Sequence, residues 1–260
     1  MIDASLAVAG AVTGLVVGLT GVGGGALMTP ILLLVFGIAP VTAIATDLWF
    51  AAITKVAAVL VHQRDGNVDW QVVRRLWAGS LPVALAVVVV VTMGARVERI
   101  GWLTVAIGSV VGLTGIGLLA APKLQELARS RRIAEPERFK SRQGPLTVAA
   151  GAVLGLLVAL TSVGAGALGT VMLTALYPLR MVPHRLVATD IAHAIPLAVV
   201  AGSGYLVAGL VDGAMLVSLL AGSIPGAVLG SLLAARFSPR WLRAALALVL
   251  LASAAKTLAA

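Results

Sequence analysis

The chain has no cysteine. That absence excludes disulfide bridges, thiol catalysis and cysteine-ligated metals. Charged side chains make up only 11% of residues and aromatic ones only 4%. A soluble domain carries about 25% charged residues, so this chain has too little charge to cover a surface facing water on all sides. The sequence also lacks H-E-x-x-H, G-x-S-x-G and the P-loop pattern. It therefore has neither the metal pair nor the nucleophile of an intramembrane hydrolase, and ATP-driven transport would need a separate ATPase. No enzymatic activity, metal or cofactor is expected. Period-2 alternation does not persist over segments of about 10 residues, which argues against an outer-membrane barrel.

What remains is apolar. Hydrophobic residues are 60% of the chain, and mean hydropathy is +1.07. Apolar runs follow one another with short polar gaps, as helices crossing about 30 Å of hydrocarbon require. The composition predicts an all-α polytopic membrane protein. Net charge is +9, but the basic residues lie between apolar runs, where cytoplasmic charge bias places them, and not on a nucleic-acid-binding face. The start of the chain lacks a charged leader and a small-residue cleavage site. Met1 to Leu19 reads as the beginning of the first membrane segment.

The apolar segments run over 4–20, 26–37, 43–62, 72–93 and 100–120, then 146–162, 167–177, 186–208, 213–235 and 240–258. Between the two sets lies a polar stretch with Lys123, Arg129, Arg131, Arg132, Arg138, Lys140 and Arg142. Three units follow: a first membrane repeat over 1–121, a basic linker over 122–144 and a second repeat over 145–260. The middle of the linker is left open as helical or irregular. The halves align. At an offset of 141, Gly10, Gly14, Thr20, Gly23 and Gly25 meet Gly151, Gly155, Thr161, Gly164 and Gly166. At 143, Thr46-Asp47-Leu48 meets Thr189-Asp190-Ile191, and Gly79-Ser80-Leu81-Pro82 meets Gly222-Ser223-Ile224-Pro225. Such internal duplication governs the whole reading.

Each half opens with a Gly-rich break inside an apolar segment. The first is Thr20-Gly21-Val22-Gly23-Gly24-Gly25-Ala26; the second is Thr161-Ser162-Val163-Gly164-Ala165-Gly166-Ala167. Non-helical backbone at membrane depth survives only where protein buries it or where it lines a wet cavity. Matched, Gly-interrupted segments in two halves point to a transporter's binding site. The segments flanking each break fall short of the roughly 20 residues that a crossing needs. Each pair is read as a re-entrant hairpin followed by three spanning helices, which makes the halves inverted repeats. Charge favours this over parallel halves. With the linker in the cytoplasm, inversion leaves only Arg96, Arg99 and Lys256 outside, whereas parallel halves scatter basic residues on both sides. Inversion predicts extracytoplasmic termini. Trp70, Trp102 and Trp241 fall near segment ends, as interfacial belts require.

The helices resuming near Ala26 and Ala167 would aim free N–H groups inward, a site for a small anion. Candidate binding residues are Thr20, Gly21, Gly23, Gly24, Gly25 and Ala26, with Thr161, Ser162, Gly164, Gly166 and Ala167. The hydroxyls could instead satisfy carbonyls freed by the breaks. Gly10, Gly14 and Gly18, and Gly222, Gly226 and Gly230, read as close-packing positions. Pro82 and Pro225 read as matched kinks. Gly21 to Ala26 also fits a dinucleotide fingerprint, but a membrane segment stands where its strand should be.

Ionisable residues inside membrane segments mark pathways or relays. Here they are Asp47, Lys55, His62, Asp190 and His193. Asp47, Asp190 and His193 are candidates for coupling or gating, and Asp190 and His193 are spaced to meet on one helix face. Helix capping is the alternative for both aspartates. Lys55 is a candidate anion ligand, with snorkelling as its alternative. His62 reads as interfacial.

Gly18-Leu19-Thr20-Gly21-Val22-Gly23-Gly24-Gly25, Pro30 and Ala45-Thr46-Asp47 resemble the first-half signature of the TauE/SafE sulfite exporter family. Thr161 to Gly166 and Ala188-Thr189-Asp190 are similar to its second copy. The resemblance spans about Leu6 to Leu258. It departs at Gly164-Ala165-Gly166, where the Gly triplet is lost, and at His193, which stands opposite Phe50. It implies export of small sulfur-containing anions, sulfite or organosulfonates such as sulfoacetate. The expected function is a secondary transporter in a bacterial-type cytoplasmic membrane, working by alternating access on a small anionic substrate. A channel-like conduit and a membrane scaffold for a partner enzyme are the alternatives. A homo-oligomer is compatible with the sequence.

Overall fold

The computed structural model describes residues 2–20, 25–62, 68–94, 101–134, 136–164, 166–233 and 239–259. Among them are ten helices. In the first half these are α1 (Ala4–Thr20), α2 (Gly25–Leu34), α3 (Pro40–His62), α4 (Trp70–Gly94) and α5 (Gly101–Ala134). In the second they are α6 (Pro136–Thr161), α7 (Ala167–Leu176), α8 (Pro183–Val207), α9 (Gly213–Leu233) and α10 (Pro239–Ala259). Four of them begin on proline, whose missing N–H is no loss at the first helical position. Five are long and apolar enough to cross a membrane: Trp70–Met93, Thr104–Arg131, Lys140–Thr161, Arg185–Val207 and Gly213–Leu233. Shorter apolar helices run over Ala4–Leu19, Ala167–Leu176 and Ala244–Ala259.

The polar stretch 122–144, left open in the sequence reading, is helical over its described residues, as the end of α5 and the start of α6. One feature differs from the sequence reading. Because α6 takes up linker residues it has 26 residues, against 17 in α1. It is therefore longer than the half-hairpin the sequence suggests.

Small residues set the packing. α1 lies against α9, with Gly10, Gly14 and Gly18 meeting Leu219, Ser223 and Ala227 in parallel register. A Cβ on Gly222 would stand 1.8 Å from the Ala7 carbonyl oxygen, so only glycine lets these backbones approach. α6 lies against α4 in the same way: Gly151 meets Leu76, Gly155 meets Ser80, and Gly79 meets Val148. These are the packing roles the glycine spacing predicts. Repeat-equivalent helices, by contrast, meet antiparallel. On α5 and α10, Gly108 faces Leu258, Gly112 faces Ala254 and Gly115 faces Leu251. On α3 and α8, Trp49 Nε1 donates to the Gly202 carbonyl and Lys55 meets Asp190.

Apolar side chains also face outward, among them Val8 and Val12 of α1, Val89 and Val90 of α4, and Leu113 and Ile116 of α5. Exposed leucine and valine on long helices suit a lipid surround. Trp70 and Trp241, near the starts of α4 and α10, are exposed. The side chains of Trp102 and His62 lie outside the described set.

Candidate functional site

The α3–α8 crossing carries the buried ionisable groups. Asp47, Lys55, Asp190 and His193 are all at most 4% exposed. On α3, Asp47, Thr54 and Lys55 follow helical spacing and share a face. Asp190 and His193 do the same on α8. Charge at this depth is costly and is kept where it faces the bundle interior.

Asp47 and Asp190 do not cap their own helices. Pro40 and Pro183 start α3 and α8 earlier than the apolar pattern suggests, which puts each aspartate at the eighth residue. The cap of α8 is Val182, without a side-chain bond. Each carboxylate instead serves the short helix beside it. Thr29 Oγ1 of α2 donates to Asp47 Oδ2. Asp190 lies against the first turn of α7: the Gly166 N–H faces it, and a Cβ on Gly169 would stand 2.5 Å from Asp190 Oδ1. Asp47 thus meets α2 one turn in, at Thr29, and Asp190 sits beside the N-terminal turn of α7. A negative charge is favoured there by the helix dipole.

Lys55 Nζ lies 3.6 Å from Asp190 Oδ2. The side chain is 4% exposed, so it does not snorkel to an interface. The structure pairs Asp190 with Lys55 across the halves and not with its helix neighbour His193. His193 Nε2 meets Ser80 Oγ at 3.0 Å. Ser223, the repeat equivalent of Ser80, meets Thr54 Oγ1 at 2.9 Å. His193 Nδ1, Asp47 Oδ1 and both Asp190 oxygens have no hydrogen-bond partner among the described residues. Buried polar atoms of this kind call for an explanation, and a ligand is one.

The second break is strained. Ser162 has φ 58°, Gly164 φ 127° and Gly166 φ 121°. Left-handed backbone at a serine costs energy and persists only where surroundings impose it, commonly at functional sites. Thr161 Oγ1 donates to the Leu157 carbonyl at 2.7 Å and accepts the Val163 N–H at 3.2 Å. Its hydroxyl therefore holds the break together. Ser162 Oγ is within range of Asp47 yet makes no hydrogen bond of good geometry. Ala167 opens α7 and is buried. Its N–H and that of Leu168 precede the first intrahelical bonds. Of the first break, Gly21, Gly23 and Gly24 lie outside the described residues, as do the side chains of Thr20 and Ala26. Gly25 begins α2.

Sequence reasoning passed over Thr29, Thr54, Ser80, Gly169 and Ser223. The repeat alignment had paired Ser80 with Ser223, which was the available signal. Their exposure to the ionisable cluster depends on helix crossings that spacing does not encode. No group of three or more potential metal ligands occurs among the described residues.

The sequence profile described as Sulfite exporter TauE/SafE matches residues 6–257. The chain is also similar to the "Probable membrane transporter protein YjnA" of Bacillus subtilis (strain 168), with 38% identity over 260 residues covering 97% of this chain and 98% of that one. No solved structure matches the chain. With long apolar helices, a buried polar cluster at their centre and a match over nearly its whole length, the chain belongs to the TauE/SafE sulfite exporter family, a family of multi-pass membrane transporters and not of enzymes.

Proposed function

We propose that the protein is a secondary carrier that exports a small sulfur-containing oxyanion, sulfite or an organosulfonate such as sulfoacetate, by alternating access. The observation that carries this reading is the Lys55–Asp190 pair, buried between α3 and α8 beside the strained break that starts α7. Carboxylates occupy the two positions where an oxyanion would dock. Asp47 is bonded to Thr29, one turn into α2, and Asp190 stands at the first turn of α7 beside a buried cation. An entering oxyanion displaces Asp190 from Lys55 and takes the N–H groups near Gly166 and Ala167, with Ser162 as hydroxyl donor. By repeat equivalence we assign the same role to the first break, with Thr20, Gly21, Gly23, Gly24, Gly25 and Ala26. A displaced carboxylate is best kept neutral in this setting. Asp190 and His193 therefore couple anion movement to a proton.

An arrangement as two inverted repeats is part of this reading. Antiparallel packing of α5 on α10 and of α3 on α8 favours a pseudo-two-fold axis across the helices. Such architectures place substrate at the repeat interface and move one repeat against the other. Arg75 and Arg180, from different halves, both approach Tyr177, which supports a cytoplasmic end there.

Flux of labelled sulfoacetate into proteoliposomes tests the proposal, under an imposed potential and then a pH gradient. Saturable flux, lost in folded Gly24→Leu and Gly166→Leu variants, is the expected result. Flux that never saturates would indicate a conduit. Absence of oxyanion flux from inserted protein would refute the substrate reading. Flux insensitive both to a pH gradient and to His193→Ala would remove the proton coupling.

A further inference from the structure

The two halves build the same polar frame at two places in the bundle. Asp69 precedes α4 and its repeat equivalent Asp212 precedes α9. Each carboxylate caps its helix: Asp69 Oδ1 accepts the Val72 N–H at 3.4 Å, and Asp212 Oδ1 accepts the Met215 N–H at 2.9 Å. Each backbone N–H donates to a threonine of the other half. Asp69 donates to Thr189 Oγ1 at 3.1 Å, and Asp212 donates to Thr46 Oγ1 at 3.1 Å. Those threonines immediately precede Asp190 and Asp47. Each frame therefore abuts one carboxylate of the buried cluster.

The frames differ in one respect. Arg180, in the turn between α7 and α8, closes on Asp69. Its Nη2 is 2.8 Å from Asp69 Oδ1 and its Nε 2.5 Å from Oδ2. Nη1 donates to Gln71 Oε1 at 3.1 Å. The guanidinium carbon lies 6.0 Å from the centre of the Tyr177 ring, and the Tyr177 hydroxyl meets Thr147 at 2.8 Å. Asp69 is buried beneath this clamp, whereas Asp212 is exposed. The turn between α2 and α3, Val35-Phe36-Gly37-Ile38-Ala39, holds no charged residue. It cannot do for Asp212 what Arg180 does for Asp69.

We propose that the Asp69–Arg180 pair is a latch that keeps the Asp69 end of the transport path shut, so that the unlatched Asp212 end opens first. This rests on the alternating-access reading above. Opening the Asp69 end parts the start of α4 from the α7–α8 turn, since these belong to different halves. That separation breaks a charge-assisted hydrogen bond and an ion pair and strands a buried carboxylate. Among the described residues, opening the Asp212 end breaks no such contact.

The absence of native cysteine makes single reporters clean. Val72→Cys and Met215→Cys occupy repeat-equivalent buried positions, one under each end. The measurement is the rate of maleimide labelling of each reporter in membrane vesicles, with and without Arg180→Gln or Asp69→Asn. Both latch variants should raise labelling at Val72→Cys by at least about fivefold, the low end of typical coupling between two states. Labelling at Met215→Cys should stay level or fall. No rise at Val72→Cys overturns the latch. Equal rises at both reporters in every variant, including the milder Arg180→Lys, mean general loosening and also overturn it. Labelling needs no substrate, so a failed oxyanion flux assay and a failed latch are separate results.

Discussion

Removing Lys55 alone leaves the Asp190 carboxylate, 1% exposed, without its cation. At 3.6 Å, and with an effective dielectric of about 20, the pair attracts by about 5 kcal/mol. Desolvation of both charges offsets much of that in the intact protein. It does not offset it once one partner is gone, and breaking a buried pair costs about 3–5 kcal/mol. Lys55→Met and Asp190→Asn should each destabilise the protein in that range. The double variant removes both charges and should be more stable than either single one. The expected coupling energy is about 2–3 kcal/mol, at the upper end for residues in contact. The assay is unfolding in mixed detergent micelles by increasing SDS, followed by the fluorescence of the five tryptophans. Single effects that add to the double within about 0.5 kcal/mol would refute the pairing and with it the displacement step of the proposed mechanism.

Gly222→Ala drives a methyl group to 1.8 Å from the Ala7 carbonyl and should cost at least the roughly 1–3 kcal/mol of overpacking. Gly213→Ala, with nothing within 4 Å, should be near neutral in the same SDS titration. Thr189→Val strips the acceptor from the Asp69 N–H in a buried setting and should cost about 1–3 kcal/mol. Thr46→Val should cost less, because its bond to the exposed Asp212 is only part-buried and water can reach the Asp212 N–H; equal costs would contradict the asymmetry of the two ends. Gly169→Ala should displace the Asp190 carboxylate 2.5 Å away and lower flux while the protein still folds, as size-exclusion profiles would verify. A C-terminal alkaline phosphatase fusion should be active if the proposed inverted arrangement holds, since it would place that terminus outside the cytoplasm; an inactive fusion beside an active cytoplasmic reporter would reverse the topology.

Much of the fold was legible because lipid imposes it. Backbone groups in hydrocarbon must pair within a helix, so apolar run lengths translate into helices with little ambiguity. α2 and α7 begin at Gly25 and Ala167, where the glycine breaks place them. The glycine stripes of α1 and α9 face one another because nothing larger fits. The cluster was legible as a set of residues but not as a set of contacts. Spacing on α8 suggested His193 as the neighbour of Asp190. The crossing of α3 over α8 brings Lys55 instead and turns His193 toward Ser80. Capping stood as the alternative for Asp47 and Asp190 because the apolar pattern begins after Pro40 and Pro183, while the helices begin on them.

Sequence by itself thus determined the membrane class, the duplication, the breaks and the list of buried ionisable residues. Each follows from local chemistry: hydropathy, glycine and the cost of charge in hydrocarbon. Tertiary structure decided which charges meet, which helix end each carboxylate serves and which end of the bundle carries the Asp69–Arg180 pair. Those outcomes join residues as much as 135 positions apart in the chain, as Lys55 and Asp190 are, and a linear pattern holds no record of which helix faces cross.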